Sequence, residues 1–142
     1  MVRVSTIILF VLFVLSVGYS IVLIVVPTIV LEGDFQAITG KSYEEFLSSE
    51  AVRVSVVHIR HMQVFDITAI VAAFFILFAG FRKAETWAWW AMLVIGGISL
   101  VYGVVVNLVI GNTLDSAVFL VGLVVFLVAL FLPVRKFLSR SG

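Results

Sequence analysis

The sequence predicts an all-α integral membrane protein: a four-helix bundle with both termini cytoplasmic and a short helical cap in the first outer loop. Three observations predict it. Of 142 residues, 63% are hydrophobic and only 12% are charged, with a mean hydropathy of +1.30; ordinary soluble domains carry about 25% charged residues. Four apolar stretches each supply the roughly 20 residues that a helix needs to cross the hydrocarbon core. Lysine and arginine gather at alternate span ends, which sets an orientation. The same composition excludes several classes. A soluble enzyme of this size would expose large apolar patches, and disorder requires low hydrophobicity. A net charge of +1 argues against nucleic acid as a partner. With no cysteine there is no disulfide framework, thiolate metal site or cysteine nucleophile.

The spans are expected at 5–30, 62–81, 87–110 and 116–132, with an outer loop and helix extension over 31–61, all in one domain covering 1–142. Span one holds Pro27 in its last turn, and span four stops before Pro133. Ser16-Val17-Gly18 loosely resembles a signal cleavage site. The apolar run continues through Val26, too far for a secretory h-region, so the segment reads as a span. Arg3, Arg82, Lys83, Arg135, Lys136 and Arg140 fall on one side, while Glu32, Asp34, Glu44, Glu45, Glu50 and Asp115 fall on the other. The positive-inside rule puts the first set in the cytoplasm of a cell (plasma) membrane protein. Trp87, Trp89 and Trp90, beside Arg82 and Lys83, are then expected as inner-interface anchors.

The outer segment has its own signals. Leu31-Glu32-Gly33-Asp34 reads as a turn. Ser42 and Glu45 form the Ser-x-x-Glu pattern of a capping box, which predicts a short helix over 43–49. A second helix is expected to start near Ser49 or Glu50 and continue into span two. A helix over 50–81 is about 48 Å long at 1.5 Å per residue. The hydrocarbon core is about 30 Å thick, so several turns stand outside it or the helix tilts. Arg53, His58, Arg60, His61, Gln63 and Asp66 point to many sides of that helix, which is not a lipid-facing pattern.

Asp66 is the most informative single residue. It falls about a turn inside the outer hydrocarbon edge, where a carboxylate is costly and functional by default. Gln63, His58, Tyr19, Tyr102 and Asn107 are its expected partners, and Asn107 is expected to donate across helices. His58 and His61, spaced i, i+3, can share a face. They would hold a metal with help from Met62, Asp66 or a loop carboxylate. Haem is less well supported, because two ligands on one helical turn cannot approach one macrocycle from opposite faces. Arg53 and Arg60 would clamp an anion or, better supported, pair with Glu44, Glu45 or Glu50. Ala69 with Ala73, Ser99 with Gly103, and Gly96-Gly97 mark close helix packing. No nucleotide-binding glycine motif, serine elbow or HExxH motif is present. Span one carries no acidic residue to couple proton flux, unlike small multidrug transporters of similar size.

The segment Phe81-Arg82-Lys83-Ala84-Glu85-Thr86-Trp87-Ala88-Trp89-Trp90 resembles a motif of a small uncharacterised prokaryotic four-transmembrane-helix family. That family has an arginine-rich turn followed by Glu-x-Trp-Ala-Trp-aromatic. Pro27, Thr39-Gly40, the Ser42–Glu45 box and Arg60 also match its layout, and the resemblance covers about 14–106. Lys83-Ala84 stands where the family has arginine-glycine, and no glycine follows soon after Arg60. The resemblance implies the four-span topology and no particular reaction.

The favoured expectation is a non-enzymatic membrane protein. It would bind a lipid-like or polar ligand, or a partner subunit, through the outer half of the bundle, using Asp66, His58, His61, Arg60, Tyr102 and Asn107. Its partners are the lipid bilayer and a membrane protein or a second copy of the chain. No cofactor is expected. The alternatives are a metal- or proton-handling enzyme or transporter using His58, His61 and Asp66, and a purely structural subunit.

Overall fold

In the computed structural model, residues 1–47 and 49–139 are described. Arg140, counted above among the cytoplasmic cations, and Ser48, inside the expected outer helix, lie outside them. Every regular element among the described residues is helical: α1 (Val2–Val25), α2 (Thr28–Thr39), a 3-10 turn (Tyr43–Phe46), α3 (Glu50–Ala79), a second 3-10 turn (Phe81–Lys83), α4 (Thr86–Ile110), α5 (Thr113–Phe131) and α6 (Val134–Leu138). Four of these, with the second 3-10 turn continuing α3, are long and apolar enough to cross a membrane.

The four long helices form an up-down-up-down ring. Its most extensive contacts are α4 on α5 and α1 on α3, and α1–α5 and α3–α4 contacts close it. The two prolines decide where chain direction changes. Proline cannot donate a backbone hydrogen bond, so α1 ends at Val25, short of the expected limit near Val30, and α5 ends at Phe131. The α4–α5 turn is made by Gly111 in the left-handed region (φ +83°) followed by Asn112, whose side chain accepts from the Asp115 N–H at 3.2 Å. This is a glycine stop and an asparagine start back to back. The two helices close tightly because Gly96 and Gly103, seven apart on α4, leave room for Phe126 and Phe119, seven apart on α5. A Cβ at Gly96 would lie 2.5 Å from the Phe126 ring.

The main core sits at the end carrying the start of α1, which we call the basic end. Leu9, Leu77, Phe81, Met92, Phe126, Leu130 and Phe137 are buried there. α6 folds back so that the Phe137 and Phe81 rings lie 4.8 Å apart, and the Thr86 hydroxyl donates to the Phe137 carbonyl at 2.7 Å. Trp89 corrects an expectation. It is 4% exposed, and its indole N–H donates to the Leu130 carbonyl at 2.9 Å, while Trp87 and Trp90 are each 53% exposed. Leu130 lies in the last turn of α5, where Pro133 leaves carbonyls without their helical donors. An inward indole satisfies one of them, so only Trp87 and Trp90 face outward. The exterior along the helices is apolar: Phe75 is 72% exposed, Val109 80% and Leu114 75%.

The turn between α3 and α4 holds one strained residue. Ala84 has φ +60° and is the only non-glycine with positive φ among the described residues. Glycine adopts this conformation without a Cβ clash. Ala84→Gly is therefore expected to stabilise the protein by about 0.5–1 kcal/mol, after the entropy of the added glycine is deducted. Thermal unfolding in detergent checks this; an unchanged or lower midpoint would show that the turn is not strained.

Candidate functional site

The end opposite the basic core is capped by α2, the first 3-10 turn and the start of α3. α2 replaces the turn expected at Leu31-Glu32-Gly33-Asp34. Leu31 is buried and Phe35 half-buried, four apart on the face that packs inward. Gly33 is a packing residue rather than a breaker: a Cβ there would lie 3.3 Å from the Asn112 Nδ2 of the α4–α5 turn. The helix stops at Gly40, in the left-handed region at φ +70°. The capping box forms as expected, with the Ser42 N–H donating to Glu45 Oε1 at 3.3 Å. It starts a single 3-10 turn, not a helix over 43–49. Ser49 caps α3 by accepting from the Val52 N–H at 3.4 Å. Leu31, Tyr43 and Val52, with Phe35, Phe46, Val56 and Ile59 against them, form a small second core under the cap.

Two polar contacts tie the cap to the bundle. Arg60 Nε donates to the Ile24 carbonyl at 3.1 Å, in the last turn of α1 before Pro27. The guanidinium thus sits at the negative end of a helix dipole, where cations are favoured. Among the described residues Arg60 pairs with no outer-loop acid; its Nε is spent on backbone. The second contact centres on Asn112, which is 8% exposed. Its Nδ2 donates to Asp34 of α2 and to Asp115 of α5, both at 3.0 Å. The two carboxylates lie within electrostatic reach of each other and of Tyr19 on α1. Sequence reasoning placed Asp34 and Asp115 outside but missed Asn112. Gly111-Asn112 marks a helix stop and start, yet nothing local signals a bond to a residue 78 positions away.

An open-sided cleft of about 450 Å³ runs between α2 and the projecting part of α3. Leu31, Phe35, Ile38, Val54 and Ile59 give it apolar walls, and Asp34, Thr39, Ser55 and His58 give it polar groups. Its size falls within the roughly 300–1,000 Å³ range of small-ligand sites. Apolar walls bury a hydrocarbon body, while a carboxylate, hydroxyls and an imidazole can bond a polar head.

The expected site residues are only partly brought together. His58 lines this cleft, while His61, also exposed, is not among its lining residues. No three His, Cys, Asp or Glu side chains among the described residues are placed to hold a metal ion. The pair therefore finds no third ligand of those types there. Asp66 is exposed on α3, six residues and about 9 Å inward of Arg60. Asn107 corrects an expectation: its amide donates to the Gly103 carbonyl of its own helix at 2.8 Å, not across helices. Asparagine side chains readily bond a local backbone carbonyl, and Gly103 lies one turn back on the same helix. Tyr102 is 64% exposed and faces away from the bundle. Arg82 and Lys83 lie at the basic end, remote from the cleft.

No family model, curated protein or solved structure matches the chain.

Asn112→Ala removes the amide held between two carboxylates and leaves them facing each other. It is expected to loosen the cap by about 1–3 kcal/mol. Hydrogen exchange over Thr28–Thr39 should then speed by about 5- to 150-fold, with the slow core amides of α4 and α5 little changed. Unchanged exchange in α2 would show that Asn112 does not hold it.

Proposed function

We propose that the chain is a multi-pass plasma-membrane protein with its basic end in the cytoplasm, and that the cap cleft binds an amphiphilic, lipid-like ligand. The cleft carries this reading: an apolar trough with polar groups along it, placed where the bundle emerges from hydrocarbon. Charge supports the orientation. Arg3, Arg82, Lys83, Arg135 and Lys136 lie at one end, and Glu32, Asp34, Glu44, Glu45, Glu50 and Asp115 at the other. Exposed Trp87 and Trp90 near the basic end fit an interfacial belt. Arg60, level with the end of α1, marks the outer boundary, so the cleft opens above it. The ligand's hydrocarbon body lies against Leu31, Phe35, Ile38, Val54 and Ile59, and its head donates hydrogen bonds to Asp34 or exchanges them with Ser55 and His58. The resemblance in the Phe81–Trp90 segment is consistent with this topology and adds no reaction.

A second reading has its own observation. The Asp66 carboxylate makes no hydrogen bond or ion pair among the described residues. A carboxylate at that depth usually faces a partner or a water-filled space. A partner subunit bringing a cation or hydroxyl to α3 would satisfy it, and so would a proton-carrying role shared with His58 and His61. Asp66→Asn separates these: lost association supports the partner, and lost proton flux supports the carrier.

The cleft is tested by native mass spectrometry of protein purified from its own membrane. Ile38 and Val54 are 64% and 67% exposed, so Ile38→Asp with Val54→Asp leaves the cores intact. Wild type is expected to retain a small lipid-like mass, and the double variant to lose at least about tenfold of its occupancy, through lost apolar burial. No retained mass, or a double variant that keeps every wild-type mass at undiminished occupancy, would contradict the reading.

A further inference from the structure

The basic end carries a groove that the cap cleft does not explain. It lies between the first turns of α1, the Arg82-Lys83 turn and α6, with a volume of about 820 Å³. Arg3, Arg82, Lys83 and Lys136 line it, and no acidic residue among the described residues does. Arg3, Arg82 and Lys136 are exposed, with no ion pair or hydrogen bond from their side chains among the described residues. Like charges around one cleft repel unless an anion enters it. The wall below the charges is apolar. Ile7, one helical turn from Arg3, and Phe78, one turn from Arg82, line the same groove and are 62% and 46% exposed. The seam continues inward through Phe10, whose ring lies 6.1 Å from Phe78 and 5.6 Å from Phe74. Phe10 itself is 41% exposed.

Cations from three elements thus stand one turn above an exposed aliphatic and aromatic strip. A free anion would use only the upper part. A molecule with a phosphate head and hydrocarbon tails uses both, and basic pockets between spanning helices on the cytoplasmic side suit such headgroups. We propose that this groove is a binding site for an anionic phospholipid of the cytoplasmic leaflet. Its phosphate lies among Arg3, Arg82, Lys83 and Lys136, and one acyl chain runs along Ile7, Phe78 and Phe10. The site rests on the membrane insertion and orientation proposed above, and is independent of the cap cleft.

The test uses the full chain in phosphatidylcholine nanodiscs holding phosphatidylglycerol as a minor component, followed by release and native mass spectrometry. Retained phosphatidylglycerol is expected to exceed its share of the disc by about tenfold. Arg3→Gln, Arg82→Gln and Lys136→Gln combined should abolish that enrichment. Arg135→Gln, an exposed cation of α6 outside the groove, should keep it. Excess inorganic phosphate should not displace the lipid. Absent enrichment, enrichment that survives the triple variant, equal loss with Arg135→Gln, or displacement by phosphate would each overturn the site. A chain that does not enter the disc would overturn the membrane reading as well; one that enters without preference overturns the groove alone.

Discussion

The architecture depends on how backbone carbonyls are satisfied where long apolar helices break. In hydrocarbon, an unsatisfied peptide group costs several kcal/mol. The chain has two prolines, and each interrupts such a helix. At Pro27 the Arg60 guanidinium from α3 reaches the Ile24 carbonyl, and ahead of Pro133 the Trp89 indole from α4 reaches the Leu130 carbonyl. In both cases the donor comes from a different helix. The repair of a local break therefore fixes a tertiary contact: α1 to α3 at one end of the bundle, α4 to α5 at the other. The cap follows from the first break. Without the Pro27 interruption the chain would not turn into α2, and there would be no trough between α2 and α3.

The two ends divide the chemistry. At the basic end large side chains are fully buried, α6 plugs the bundle, and cations ring a groove over an apolar strip. At the cap end the second core is small, and carboxylates, an amide, a phenol and an imidazole gather around it. Stability is concentrated where packing is dense, and the polar groups stand where contacts are fewer. Regions of that second kind open most readily, which suits the ligand-binding role proposed for the cap cleft.

Much of the fold was legible because its signals are local. Apolar run length located the four long helices, and Ser42 with Glu45 located the capping box. Misreadings arose where a residue serves a distant contact. Gly33-Asp34 has the composition of a turn, but Gly33 lets α2 approach Asn112, and Asp34 accepts from that side chain. Trp89 sits in a Trp-Ala-Trp-Trp segment with an interfacial appearance, yet helix geometry turns it inward with Ala88 while Trp87 and Trp90 stay exposed. Asn107 has the composition of interhelical glue and bonds its own helix instead. Of the expected site residues, His58 reaches the cleft. Leu31, Asp34, Phe35, Ile38 and Thr39 of the lining stand on α2, whose existence the turn signal concealed.

The central claim is a membrane-inserted bundle with the cap outside and the basic end inside. The chain has no cysteine, so single ones report cleanly. Lys41, in the cap, and Ser139, at the basic end, are both exposed. In intact cells an impermeant thiol reagent should label Lys41→Cys and spare Ser139→Cys, which should react only after the membrane is opened. Labelling of Ser139→Cys in intact cells, or protection of Lys41→Cys there, would contradict the account.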